Sequence, residues 1–448
     1  VPNRVCWPNW EEFITGGRLG TDTSVAPYIE GEHGEGTLAD FLGLPDTTAQ
    51  TNGNIRASAI PFYAYQLIRD EYYRDQNVSG TQAVLNTGLS DGDNAANYSV
   101  LIALRQRAWQ HDYFTSCLPF VQRGDEATIP LGTTASLNYV NNSGAGTSLR
   151  DPATGNPLVI NTSVQIQTDG ATNHLEGDSA PNFEIQVDPS EDLEVDLTGA
   201  TAASINELRQ AFRLQEWLEK NARGGSRYTE ANWVHFHVKS PDARLQRPEF
   251  IGGGRTPVRV SEVLQTSSTD ATSPQANMAG HGIAVGENDS WSYFCQEHGY
   301  IIGIMSVMPK TAYQQGVPKH FTRFDKLDYY FPSFAHLGEQ AVLNSEVYFD
   351  GDDGLNDDTF GYIPRYSEYK FINDSVHGDM KSTLNFWHMG RIFATRPALN
   401  SSFIYLDESE VDRIFTVNTP EDDRLLCWLK HDLKANRRMP YFGHPSGV

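Results

Sequence analysis

The chain has 448 residues and a formal net charge of −23 at pH 7, and it is long enough to bury a large core in two or three domains. Such an acidic chain is not expected to grip nucleic acid over its whole surface. Aromatic residues, Gly and Pro are plentiful, which favours strands and turns over a helical protein. We found neither an apolar run of the roughly twenty residues needed to span a bilayer nor a signal peptide, so we expect no membrane contact.

Residues 1–130 alternate aromatic segments with polar loops. The aromatic-rich residues 1–15 favour a strand, although the opening lacks Met and begins as though in the middle of one. Residues 37–42 predict a short helical turn. Residues 61–77 place Phe62, Tyr65, Ile68 and Tyr72 at helical spacing, which predicts a packed helix with a solvated charged side.

Residues 131–203 differ in composition from their surroundings. Asn, Thr, Ser and Gly dominate, and Arg150 is the only Lys or Arg. Alternating patterns at 159–166 and 183–187 predict short strands on a polar, solvent-facing module. Disorder is the alternative interpretation.

An amphipathic helix is predicted after this module. Ser204 is a good N-cap, Glu207 completes a capping box, and Gly224 with Gly225 ends the helix. One side is expected to be buried, namely Ile205, Leu208, Ala211, Phe212, Gln215 and Leu218.

Four arginines follow within a short span, Arg223, Arg227, Arg244 and Arg247. The simpler interpretation is a set of structural ion pairs. The alternative is that they bind a neighbouring subunit or nucleic acid, because guanidinium groups suit carboxylates and phosphates alike.

The rest of the chain returns to strand patterns separated by long irregular connections. Such a strand-rich core is compatible with a viral jelly roll, a sandwich or another barrel. The predicted strands lie at 233–238, 291–295, 300–307, 327–331, 346–349 and 385–388.

Motifs typical of catalysis or metal binding are weak. His235 and His237 would share a face on a strand, but no third ligand stands at familiar spacing. Gly252, Gly253 and Gly254 lack the Lys-Ser/Thr of a P-loop, and neither GxSxG nor HExxH occurs. We therefore expect no enzyme activity and no cofactor. The four cysteines have no CxxC pairing and are expected to be reduced, buried thiols.

Two charged segments remain. Residues 350–358, DGDDGLNDD, predict a solvated acidic loop, with a weak divalent-cation site as the alternative; the EF-hand pattern fails. Lys430, Lys434, Arg437 and Arg438 form a compact basic cluster. It would touch DNA through phosphates if it faced the inside of a shell, and an ordinary surface tail is the alternative.

An ordered series of motifs resembles the major capsid protein of the microviruses, in the gokushovirus branch, over most of the chain. The motifs are ARGGSRYTE from Ala222, SPDARLQRPEFIGGG from Ser240, EVLQTS from Glu262, HGYIIGIMSV from His298, TAYQQGVPKHFTR from Thr311, FAHLGEQAVLNSEVY from Phe334 and FGYIPRYSEYK from Phe360.

The resemblance implies a mainly β fold, an eight-stranded antiparallel jelly-roll barrel with long insertion loops. Residues 1–130 would be its N-terminal part, preceded by further residues. Residues 131–203 would be a variable insertion forming a threefold surface protrusion that contacts the host. Residues 204–448 would complete the shell domain and its C-terminal arm.

The resemblance also implies a T=1 icosahedral shell of sixty copies, built through pentamers around circular single-stranded DNA. The protein would lie in the virion capsid, assembled in the cytoplasm of a bacterial host. Implied partners are an internal scaffolding protein, a DNA pilot protein, a small basic DNA-binding protein and an unidentified host-surface receptor. The basic protein would supply the positive charge that this chain lacks.

Two other classes stay open on composition. A jelly-roll carbohydrate-binding or carbohydrate-active protein would share the aromatic, acidic composition, but it would not be expected to carry this motif series. A phage tail protein would use repeats, and we found none.

Overall fold

The computed structural model divides the chain into two compact units, which we call the shell unit (Val1–Arg123 with Glu219–Val448) and the insert unit (Gly124–Leu218). The structure describes residues 1–50, 53–127, 136–140, 166–168, 175–177, 192–196, 205–239, 247–264, 266, 278–286, 290–351, 353–415 and 424–437.

The N-terminal part of the shell unit is mostly helical. An antiparallel pair of strands, β1 and β2, lies among six helices. These elements are α1 (Asn3–Cys6), α2 (Trp10–Thr15), β1 (Tyr28–Gly31), α3 (Leu38–Phe41), β2 (Ile55–Ser58), α4 (Ile60–Tyr72), α5 (Ala83–Thr87) and α6 (Tyr98–Leu101).

Two helix predictions in this part are confirmed. Helix α3 begins where the Thr37 side chain accepts a hydrogen bond from the Asp40 amide, an N-cap. Helix α4 begins with Pro61 in its first turn and buries most of its aromatic side, as its periodicity predicts. It ends at Tyr72, five residues before the predicted limit.

The strand predicted at residues 1–15 is wrong, because this segment forms α1 and α2. Trp7, Trp10 and Phe13 recur every three residues, so a helical path brings their rings together. Trp7 and Trp10 are edge-on at 6.3 Å, and Trp7 and Phe13 are 5.1 Å apart. Trp7 is fully buried and donates its indole N–H to Asp91 Oδ1 at 2.8 Å.

The described residues of the insert unit include two antiparallel strand pairs, β3 with β6 and β4 with β5, and the start of a long helix, α7. Apart from Ile166 in β4, the strands predicted at 159–166 and 183–187 lie outside the described residues. The elements are β3 (Ser136–Val140), β4 (Ile166–Thr168), β5 (Leu175–Gly177), β6 (Asp192–Asp196) and α7 (Ile205–Gly224).

The prediction of α7 is confirmed in extent and corrected in burial. The helix ends at Gly224, and Gly225 follows with φ +97°, a conformation that glycine adopts without a steric penalty. The predicted capping residue Ser204 lies outside the described residues. The side expected to be buried is largely exposed: Ile205 is 69% and Phe212 67% exposed. A periodic pattern identifies an apolar face but not what covers it.

The remainder of the shell unit combines short helices, strand pairs and single turns of 3₁₀ helix. Strands β7 with β8 and β10 with β11 pair antiparallel, and β9 with β12 parallel. The elements are α8 (Tyr228–Phe236), β7 (Arg259–Leu264), β8 (Met278–Ile283), β9 (Ala312–Tyr313), β10 (Glu339–Leu343), α9 (Asn344–Val347), α10 (Asp353–Asn356), β11 (Thr359–Pro364), β12 (Asp374–Ser375) and α11 (Ser401–Ile404).

Several strand predictions here are wrong. Residues 233–238 lie mostly in helix α8, because Glu230 accepts a hydrogen bond from the Arg227 amide at 3.2 Å and starts the helix upstream. Residues 346–349 begin inside α9, and 3₁₀ turns occupy Lys326–Asp328 and Asn385–Trp387. Residues 291–295 and 300–307 belong to no strand in the described part of the chain.

Two apolar cores formed by described residues stabilise the shell unit. The first gathers α1, α3 and α4 around Trp7, Ile29 and Leu101. The second packs Phe114, Phe360 and Phe403 against β10 and β11, with the Phe360 and Phe403 rings edge-on at 5.0 Å. Within the described residues the strands form six two-stranded sheets, and the jelly-roll barrel stays a prediction.

Candidate intersubunit and DNA-facing surfaces

Arg223 joins three segments of the shell unit. Its guanidinium pairs with the carboxylate of Glu339 on β10 and donates to the Ser116 carbonyl at 2.9 Å and the Tyr362 carbonyl at 3.2 Å. Three acceptors in different directions use the planar fork of arginine, which a lysine could not reproduce. In the single chain this arginine therefore holds the end of α7 against β10 and β11.

Arg227 occupies a comparable position against helix α4. Its Nε lies 2.9 Å from Glu71 Oε2, and its Nη2 donates to the Asp70 carbonyl at 2.7 Å. Burial raises the pKa of Glu71, and the charge of Arg227 opposes that shift.

Of the two other arginines singled out in the sequence, Arg247 is described by the structure and Arg244 is not. Arg247 lies over the Tyr72 ring at 5.6 Å, a cation–π contact. The hydroxyl of Tyr72 donates to the Pro248 carbonyl at 2.6 Å, which fixes this ring beside the arginine. Arg244 lies outside the described residues.

A cavity of about 380 Å³ lies beside these arginines, and its walls are mostly polar. Arg74, Arg223 and Arg227 line it, and each already pairs with a carboxylate of the same chain. The cavity therefore offers no unneutralised guanidinium among these three for an incoming anion.

The basic cluster near the C-terminus differs from these arginines in its exposure and its lack of ion pairs. Lys430, Lys434 and Arg437 are all exposed, and no ion pair links any of them to another described residue. Arg438 lies outside the described residues. An exposed, unneutralised cluster fits a phosphate backbone. Lysine and arginine side chains that neutralise phosphates release the counterions condensed on the nucleic acid, and this release favours binding.

The two motifs for which a metal site was the alternative interpretation are His235 with His237 and the acidic loop. His235 lies in α8, with Nε2 2.7 Å from the amide oxygen of Asn221, and His237 follows the helix with φ +55°. The strand on which they would share a face is therefore wrong. Among described residues no three His, Cys, Asp or Glu side chains gather as ligands. In the acidic loop, Asp350 lies 3.6 Å from Arg396, and its carbonyl accepts from Asn356 at 2.7 Å.

The cysteine prediction is half right. All four cysteines are free thiols, but only Cys6 and Cys117 are buried, whereas Cys295 and Cys427 are exposed. Burial raises the pKa of Cys6 to about 12, which keeps this thiol protonated and unreactive.

Sequence reasoning missed a buried polar cluster of the shell unit around Glu346. Glu346, hidden in the motif LNSEVY, accepts from the Tyr113 hydroxyl at 3.0 Å and from Lys319 at 3.2 Å. Burial beside that carboxylate raises the pKa of Tyr113. The only sequence signal was a charged residue that follows Leu343 and precedes Val347 in a motif of mixed polarity.

The described surface is unusually apolar. More large hydrophobic side chains are exposed than are buried, including Phe324, Ile372 and Val285 at about nine-tenths exposure. Apolar side chains exposed in such number favour association with further chains, because association removes them from water. No helix among the described residues has the length and apolar character that crossing a bilayer requires.

Comparisons with known proteins agree with this surface. Residues 1–446 match the family described as "Capsid protein (F protein)". The chain is 36% identical to "Capsid protein VP1" of Bdellovibrio phage phiMH2K, an alignment covering 100% of this chain and 84% of that protein. It is 34% identical to "Capsid protein VP1" of Chlamydia phage 1 (100% and 85%) and of Spiroplasma virus 4 (100% and 84%). The resemblance to microviral capsid proteins is thus confirmed, and the chain belongs to the F-protein family of phage capsid proteins.

Proposed function

We propose that this capsid protein assembles through pentamers into a closed T=1 shell of sixty copies around a circular single-stranded DNA genome. Its structural role in the virion capsid follows from its family. The observation that carries the finer proposal is the excess of exposed over buried large hydrophobic side chains in the described residues. Association with further copies removes that surface from water, and a closed symmetric shell leaves no apolar edge free.

The jelly-roll barrel is part of the same proposal. Antiparallel strands closed on themselves avoid the unpaired edges that short two-stranded sheets leave. We propose that the strands of these separate pairs belong to one such barrel within the subunit. A carbohydrate-binding role has no comparable support, because the matched relatives are named as capsid proteins.

Charge supports the proposed partners. With a net charge of −23, the chain as a whole repels DNA, so a small basic DNA-binding protein supplies most of the neutralisation. Lys430, Lys434, Arg437 and Arg438 add a local contact. An internal scaffolding protein and a DNA pilot protein complete the assembly. Residues 131–203 form the threefold protrusion that meets a host-surface receptor.

The arginine set acts within the subunit rather than against DNA. The guanidinium groups of Arg223 and Arg227 pair with carboxylates and donate to backbone carbonyls of the same chain. We assign them to holding the subunit in the shape that its neighbours bind, a role that Arg247 shares through Tyr72.

Particle mass and shape test the proposal. The full-length protein is expressed with the scaffolding partner encoded by its genome and is measured by light scattering and electron microscopy. Closed shells of about 3 MDa, sixty times 49.9 kDa, or pentamers of about 250 kDa are expected. A stable monomer under these conditions contradicts the proposal and directs attention to glycan binding.

A further inference from the structure

We call residues 424–437 the basic arm. Among the described residues, its contacts with the shell unit lie near its beginning. Arg424 pairs with Asp412 at 3.3 Å, and the Cys427 thiol lies 3.3 Å from the Met305 sulfur. From Trp428 to Arg437 every side chain is exposed, and residues 425–437 form neither helix nor strand. The arm is therefore an anchored segment whose outer part is open to a partner.

An exposed indole lies at the start of this outer part. Trp428 is 95% exposed, and among the described residues no ring or cation contacts it. Burying an indole is strongly favourable, so Trp428 is open to a contact that another molecule would gain from making.

The charges on the basic arm select the class of that partner. Four basic side chains and one acidic side chain give the arm a net charge of +3, in a chain whose net charge is −23. Lys430 follows Trp428 by two residues, a span of at most about 7 Å. If a base stacked on the indole of Trp428, the ammonium group of Lys430 would therefore be within reach of the adjacent phosphate. Bases of single-stranded nucleic acid stack on aromatic side chains in this way, while cations track the backbone.

The order of residues along the arm strengthens this assignment. Where the chain runs extended, residues of the same parity share a face. Trp428, Lys430, Asp432 and Lys434 then lie on one face, and Leu429, Leu433 and Arg437 lie on the other. On the first face two ammonium groups outnumber one carboxylate beside the indole, which suits stacking and phosphate contact, and the leucines of the opposite face are suited to lying on protein.

We infer that the basic arm binds single-stranded DNA with Trp428 as a base-stacking residue, and not through phosphate contacts alone. This inference rests on the proposed function, since it takes the packaged genome as the ligand. It assigns Trp428 a role that the cluster of cations does not by itself indicate. A second copy of the chain is the competing occupant, and the experiment separates the two.

Binding is measured on the unassembled full-length protein by fluorescence anisotropy, with a fluorescein-labelled oligothymidylate of thirty nucleotides and with a labelled duplex. Trp428→Ala is expected to weaken single-strand binding about ten- to hundredfold. Duplex binding is expected to stay unchanged, because paired bases are not free to stack. Trp428→Phe should retain most of the single-strand affinity, since it keeps a flat ring.

Two control variants separate the effect of losing the Trp428 ring from the effect of losing charge. Trp291→Ala removes a 42% exposed indole outside the arm and should leave both affinities unchanged. Lys430→Gln with Lys434→Gln should weaken binding to both DNAs, and should lower the salt slope for the single strand by about 1.4, or about 0.7 for each cation. Stacking and charge are thereby measured separately.

Photocrosslinking adds a readout that does not depend on affinity. Oligonucleotides carrying bromodeoxyuridine should form an adduct on the tryptic peptide of residues 425–430, LLCWLK, and Trp428→Ala should remove it. Particle formation of every variant is followed by electron microscopy.

The inference is overturned if Trp428→Ala binds the single strand as tightly as the unchanged protein. It is overturned in favour of a second copy if that variant stops assembling while its DNA affinity is unaffected. Shells that form from a protein without single-strand affinity would refute the role of the arm and leave the proposed function standing. Single-strand binding by a protein that never forms shells would refute the proposed function alone.

Discussion

Arg391 and Glu410 form an ion pair in which the arginine is almost closed to solvent and the glutamate is partly exposed. Their Nε and Oε2 atoms lie 3.0 Å apart, and the Arg391 side chain is 1% exposed. The guanidinium also donates to the Phe403 carbonyl at 2.9 Å and lies 4.3 Å from the centre of the Phe403 ring. A cation packed against the rings of the second apolar core is thus satisfied by one carboxylate, one carbonyl and aromatic faces.

Removing the charge of Glu410 should therefore destabilise the shell unit. In Glu410→Gln the guanidinium stays buried without its counter-charge, and we expect a loss of about 3 kcal/mol in the free energy of unfolding. Urea unfolding of the unassembled full-length chain measures it. Glu408→Gln, an exposed acid of the same turn, is the matched control and should change the midpoint little. Equal unfolding midpoints for Glu410→Gln and Glu408→Gln would show that the ion pair does not contribute to the stability of the shell unit.

His33 should make the stability of the N-terminal core depend on pH. Its side chain is 2% exposed, stacks between Phe62 and Tyr98, and has its pKa lowered by burial. The unfolded chain therefore binds a proton at higher pH than the folded chain does. Stability is fully present above about pH 6.5 and is lost as the pH falls from there towards the folded pKa.

We expect His33→Phe to flatten this part of the stability profile while keeping an aromatic ring between the same neighbours. Urea unfolding between pH 7.5 and 5.5 measures the slope, which is independent of any constant packing cost. His336→Phe changes an exposed histidine and should keep the slope of the unchanged protein. A slope unaltered by His33→Phe would assign the pH dependence to other groups.

Arg223 offers a test that separates folding from assembly. Arg223→Lys keeps the charge but loses the fork that reaches Glu339 and the Ser116 and Tyr362 carbonyls, which should cost about 1–3 kcal/mol. Its unfolding midpoint should fall, while particles formed at low temperature keep normal size and shape. Arg213→Lys, on an exposed part of α7, is the control. Normal stability with failed assembly would instead place Arg223 in an intersubunit contact.

The sequence predicted local features of the fold better than its long-range features. Helices α4 and α7 follow from apolar spacing and from Pro61 and Gly224, which act within a few residues. Strands depend on partners far along the chain, so the aromatic residues 1–15 and 233–238 were wrongly predicted as strands. The same limit hid the pair of Arg391 and Glu410, which no local pattern indicates.

For the candidate surfaces too, local features were predicted from the sequence and long-range contacts were not. Lys430, Lys434 and Arg437 stood out because basic residues cluster locally in an acidic chain, and the structure leaves them exposed. The apolar face of α7 was evident from its period, yet its exposure was not, because a pattern does not specify whether its own chain or another one covers it.

Residues 131–203 give the last prediction. They fall within the insert unit, which separates from the shell unit as a compact body, and their polar composition suits a hydrated surface module. Replacing them with a short Gly/Ser linker should leave particles of normal size that attach to host cells at least tenfold less well. Attachment is counted as the fraction of particles sedimenting with cells, and a linker of equal length inserted after Gly351, in the exposed acidic loop, serves as control. If the deletion abolishes particles while the control assembles, residues 131–203 belong to the shell itself, because only a segment buried between subunits is needed for closure.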